Sequence, residues 1–110
     1  MKINLDEIRQ RLTGMLEVAM ESDSGGVWAI QIDSDGNVAV PEPGKKRWLH
    51  KLLELRCDDD EFHLLVNPDL RFKQEIDLMD DDIPDTVPET VEFLWEDIVA
   101  GIREYEDCFE

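Results

Sequence analysis

Carboxylates are the side chains this sequence offers most freely for chemistry: 28 Asp and Glu stand against 11 Lys and Arg in 110 residues. The aspartate runs at 58–60 and 80–82 could supply the hard oxygen ligands that Ca²⁺ and Mg²⁺ take. Consecutive residues cannot all point into one site, however, and the D-x-[DN]-x-[DN]-G spacing of a calcium loop is missing. Asp33-Ser34-Asp35-Gly36-Asn37 comes nearest, but its glycine falls two positions early, and a hairpin turn explains it better. No metal is expected. His50 and His63 have no His-x-x-x-His or Cys-x-x-Cys motif beside them. Cys57 and Cys108 lie far apart, and with no signal-peptide pattern at Met1 they read as reduced thiols. Nucleophile-elbow, P-loop and dinucleotide-binding glycine motifs are all missing. The expectation is a protein that is not an enzyme and holds no cofactor.

The carboxylates are better placed for binding than for catalysis. Glu89, Glu92 and Glu96 step by three and four, which sets three like charges in a row on one helical face at a cost of a few tenths of a kcal/mol per pair. Arg103 is the only basic residue after Lys73. Residues 1–56 hold 8 basic against 9 acidic side chains, net −1, and residues 57–110 hold 3 against 19, net −16. Such a field repels nucleic acid and anionic membrane and attracts basic protein surfaces. Five of the 11 basic residues (Lys45, Lys46, Arg47, Lys51 and Arg56) fall within twelve positions, and internal pairing or one edge of an interface accounts for them more economically than a phosphate backbone does.

The elements that must position these groups follow from periodicity. Asn4 and Glu7 have capping-box spacing, and Leu5, Ile8, Leu12, Leu16, Ala19 and Met20 predict an amphipathic helix over 5–21, with Gly14 as a weak point. Alternation in 27–32 and 37–41 around the Asp35-Gly36 turn predicts a hairpin. Leu49, Leu52, Leu53 and Leu55 suit a short second helix over 45–56. Residues 61–66 and 70–78 flank Asn67-Pro68-Asp69 and predict a second hairpin. Pro88 opens a final helix whose apolar stripe is Val91, Leu94, Trp95, Ile98, Val99, Ile102 and Tyr105. The order α-β-β-α-β-β-α predicts one α+β domain over 1–110, a four-stranded, mainly antiparallel sheet with helices packed on one face. No apolar run reaches the roughly 18 residues of a membrane span, and a cytoplasmic location is expected.

Leu94-Trp95-Glu96-Asp97 followed by Glu104-Tyr105-Glu106-Asp107 resembles the acidic C-terminal helix of phage antirestriction DNA mimics. The hairpins and the basic segment depart from that all-helical, almost uniformly acidic pattern, and no residue role is carried over. The leading expectation is an acidic inhibitor that blocks a basic protein surface, as a bacterial immunity protein blocks a toxin nuclease; the alternatives are a phage or plasmid DNA mimic and a non-inhibitory interaction module. The expected interface comprises Asp80, Asp81, Asp82, Asp85, Glu89, Glu92, Glu96, Asp97 and Glu104, with whichever of Trp95 and Tyr105 is exposed as its anchor. The oligomeric state is left open.

Overall fold

The computed structural model describes residues 2–21, 25–40, 43–44, 49–58 and 61–108. Helix α1 (Leu5–Glu21) has the predicted bounds. The Asn4 side-chain oxygen accepts from Glu7 N at 3.2 Å, satisfying one of the helix's orphan donors, and its carbonyl accepts the first helical bond from Ile8 N at 3.1 Å. Ile8, Leu12, Met15, Leu16 and Ala19 form its buried face.

Strands β1 (Gly26–Ile32) and β2 (Val38–Ala39) are the first hairpin, paired antiparallel with Ile32 opposite Val38. Asp33 shapes the turn: its Oδ1 accepts from both Asp35 N and Asn37 N at 3.0 Å, and Gly36 takes the positive φ of 86° that the turn requires. Strands β4 (Phe62–Val66) and β5 (Gln74–Asp77) are the second hairpin. Its second strand begins four residues later than expected, because 70–73 is spent in turns closed by Leu70 N to Asn67 O and Lys73 N to Leu70 O.

The predicted second helix over 45–56 is corrected for the part that is described. His50–Cys57 is strand β3, which lies between β1 and β4, and residues 45–48 lie outside the described residues. A continuous leucine-rich run satisfies a buried strand as well as a helix. Here the strand wins because β3 is flanked on both sides, so pairing and burial together override leucine's helical preference. A register shift opposite Ile30/Gln31 leaves Leu52 outside the β1–β3 pairing, where both Leu52 and Leu53 are fully buried. Among the described residues the architecture is therefore α+β with two helices and a five-stranded antiparallel sheet of order β2-β1-β3-β4-β5, rather than three helices and four strands.

Helix α2 (Val87–Cys108) completes the core, lying against β4 and α1. Ile30, Leu53, Leu55, Leu64 and Val66 of the sheet join Leu12 and Leu16 of α1 and Leu94, Ile98 and Ile102 of α2 in one cluster. Two glycines in these helices have opposite surroundings. A Cβ at Gly14 meets nothing within 4 Å, so Gly14→Ala should stabilise the protein by about 1 kcal/mol. A Cβ at Gly101 would lie 2.6 Å from Cγ1 of the buried, β-branched Val66, so Gly101→Ala should destabilise it by about 1–3 kcal/mol despite the better helix propensity. Urea denaturation of the two variants checks both signs.

Candidate partner-binding surface

The acidic loop and the acidic helix are joined by local hydrogen bonds. After β5, Leu78 N donates to Phe62 O at 2.8 Å, and Ile83 N donates to Asp80 O at 3.0 Å. Asp80 Oδ1 accepts from Asp82 N, which turns the loop on itself. Thr90 then ties loop to helix: its hydroxyl lies 2.9 Å from Pro84 O and 2.8 Å from Thr86 O. Pro88 sits in the first turn of α2, where its missing N–H costs nothing. Asp85 and Glu89 flank the positive end of the helix dipole and are favoured there. The last turn has acidic residues and no basic one, which runs against the dipole.

All nine expected interface carboxylates are exposed: Asp80, Asp81, Asp82 and Asp85 on the loop, and Glu89, Glu92, Glu96, Asp97 and Glu104 on α2. Among the described residues no ion pair reaches any of them. Four of the described basic side chains serve other acids. Lys51 and Arg56 clamp the buried Glu54 at 3.2 and 2.9 Å, Arg103 lies 3.8 Å from the buried Glu106, and Arg11 approaches Glu7 at 4.0 Å. Along the helix, Glu89 and Glu104 are separated by about 22 Å at 1.5 Å per residue. Asp58, next to the loop joining β3 and β4, is exposed, and the Asp59 and Asp60 of that run lie outside the described residues. Among the described residues no three His, Cys, Asp or Glu side chains gather as a metal site.

Of the two aromatics expected as alternative anchors, Trp95 is the more exposed. Tyr105 is fully buried, its ring stacked on His50 at 4.0 Å between centroids, and it is not available to a partner. Trp95 is half-buried and has the guanidinium of Arg9 5.4 Å above its ring, so α1 already occupies one face. Phe93, absent from the predicted interface, is 54% exposed. Helical spacing places it among Glu89, Glu96 and Asp97. The signal was present in the sequence: Phe93 is the aromatic that falls outside the three- and four-residue stripe of α2.

Two depressions mark the surface. One, about 510 Å³, lies between the N-terminal segment and the end of α2, where Glu106 accepts a hydrogen bond from Ile3 N; its lining mixes Lys2 and Arg103 with Asp6 and Glu106. The other, about 290 Å³, lies against the acidic loop, with Leu16, Met20, Phe62, Leu78 and Ile83 in its lining and Asp80, Asp81 and Asp85 among them. His63 lies between Glu61 at 3.7 Å and Glu75 at 3.5 Å, away from both. Among the described residues no helix is long and apolar enough to cross a membrane.

Burial pushes the Tyr105 phenol above its usual value, favouring the neutral form in the folded protein. Its contribution to stability is complete below about pH 10, where an unfolded tyrosine ionises, and is lost as pH rises through the folded value. The chain has a single tyrosine, so phenolate absorbance should appear above pH 10 in step with loss of near-ultraviolet circular dichroism. Ionisation at the ordinary value with the fold intact would contradict the burial. Phe93→Ser, by contrast, should leave stability within about 0.5 kcal/mol in urea denaturation. No protein-family model matches this chain, and neither a curated protein nor a solved structure is detectably similar to it.

Proposed function

We propose that this protein binds and blocks a basic protein surface, acting in the bacterial cytoplasm as an immunity protein does against a toxin nuclease. One observation carries this reading: nine exposed carboxylates, none with an ion-pair partner among the described residues, run along the 80–85 loop and α2, and Glu89, Glu96 and Asp97 stand at helical spacing around an exposed Phe93. Carboxylates at such a surface steer a basic partner into contact and oppose phosphate backbones. Phe93 supplies the apolar contact that charge alone lacks, an aromatic of the kind in which binding energy concentrates.

The spacing of the acids favours a blocker of a protein cleft over a mimic of duplex DNA. Duplex DNA carries a charge every 1.7 Å or so of axis, about 13 charges over a 22 Å length. Over that length α2 presents Glu89, Glu92, Glu96, Asp97 and Glu104 from the expected set, a sparser single strip. Tagged protein retained on a column at low salt from nuclease-treated lysate of its own source should capture a basic nuclease or toxin domain that high salt releases. Capture of a restriction or CRISPR component would favour mimicry, and capture of only the same chain would favour an assembly module. Against the captured partner, Glu92→Lys with Glu96→Lys should weaken binding by about tenfold or more, chiefly through the association rate, and leave the circular dichroism spectrum unchanged. Unchanged affinity would reduce the α2 face to a solvated surface.

A further inference from the structure

The acid-rimmed groove narrows the kind of basic partner. Resting on the reading of a basic partner, we propose that this groove seats one apolar side chain of a segment whose neighbours are lysine or arginine. Its floor is core surface: Leu16 and Leu78 are buried, and Phe62 and Ile83 pack against the same cluster. At its mouth Met20 is 53% and Met79 64% exposed, flexible and polarisable side chains that extend the apolar lining to the surface. The volume of about 290 Å³ falls at or below the 300–1,000 Å³ typical of small-molecule sites and suits a large side chain.

The walls set the charge of whatever enters. Asp80, Asp81 and Asp85 stand beside the apolar floor, so an acidic or phosphorylated segment is repelled and a purely cationic one leaves the floor unfilled. Lysine and arginine flanking an apolar residue satisfy both, since their own stems are apolar and their heads reach the carboxylates. The hydrogen bonds from Thr90 to Pro84 O and from Ile83 N to Asp80 O hold the rim in place before a partner arrives, which limits the ordering cost of binding.

Methionine methyl groups report on this directly, because the chain has four and the three described ones sit in different surroundings. Met20 and Met79 border the groove, whereas Met15 is buried in the core. Full-length protein with ¹³C-labelled methionine methyls would be titrated at low salt with two synthetic peptides of equal length and charge, one alternating lysine with leucine and the other lysine with serine. The lysine–leucine peptide should bind about tenfold more tightly, a difference that partial burial of one leucine supplies. It should shift the Met20 and Met79 methyls and leave Met15 in place. Met20→Ser with Met79→Ser, both at exposed positions, should reduce its affinity to that of the lysine–serine peptide. Equal binding of the two peptides, or shifts confined to the amides around Phe93, would overturn the groove proposal and leave the basic-partner reading standing. A glutamate–leucine peptide binding as tightly would overturn the charge requirement. If neither cationic peptide binds, both the groove and the basic-partner reading fall.

Discussion

The close approach of α2 to the sheet at Gly101 is the constraint on which the rest of the structure depends. Asn67 makes that approach specific. Its backbone N–H donates to Leu52 O at 2.8 Å just beyond β4, and its side-chain amide donates to Gly101 O at 2.9 Å. With the amide nitrogen so used, its Oδ1 is left to accept from His50 Nε2 at 3.0 Å, which places the imidazole proton on that nitrogen. Asn67 holds a left-handed backbone with φ 51°, a conformation that asparagine tolerates better than most residues. One fully buried side chain thus joins β3, β4 and α2, and His50, stacked on Tyr105, extends the junction into the helix. A buried polar group of this kind is costly unless every partner is present, so the network permits one placement of α2 over the sheet.

That placement decides which carboxylates are neutralised and which are left to water. Rotated inward by the pin at Gly101, α2 buries Val91, Leu94, Ile98, Ile102 and Tyr105 and turns Glu89, Glu92, Phe93, Glu96, Asp97 and Glu104 outward. The division is not a matter of supply alone. Glu54, 5% exposed on the sheet, takes two cations, and Glu106, at the seam with the N-terminal segment, takes Ile3 N and the neighbourhood of Arg103. An acid removed from water must be paired or hydrogen-bonded, whereas an exposed one need not be, and Glu54 and Glu106 are each partnered in this way. The exposed strip keeps its like-charge repulsion, and the same unbalanced field is what gives it reach toward a basic partner.

Local pattern was a sound guide wherever the neighbours of an element lie close to it in the chain. Helix α1 was legible to the residue because Asn4 caps it and its apolar stripe repeats at helical spacing over five turns. Both hairpins were legible because their turns, at Asp33–Asn37 and at Asn67, carry residues suited to their backbone conformations. Strand β3 was not legible. Leu52, Leu53 and Leu55 are consistent with a buried helix or a buried strand, and the choice rests on β1 and β4 pairing from either side.

The sequence by itself determined that the chain is acidic and α+β with its charge gathered in the second half, because composition and periodicity are properties of the chain whatever it touches. The acidic surface was legible to the same degree: a carboxylate without a nearby cation belongs in water, and the nine predicted positions are all exposed. Only the tertiary structure decided that Tyr105 is interior and Phe93 exterior, that an apolar groove adjoins the acidic loop, and that Glu54 takes two cations. Each of these depends on which elements meet across the fold. That meeting is set by long-range packing and by a few buried hydrogen bonds, such as that from Asn67 to Gly101, which leave no trace in local periodicity.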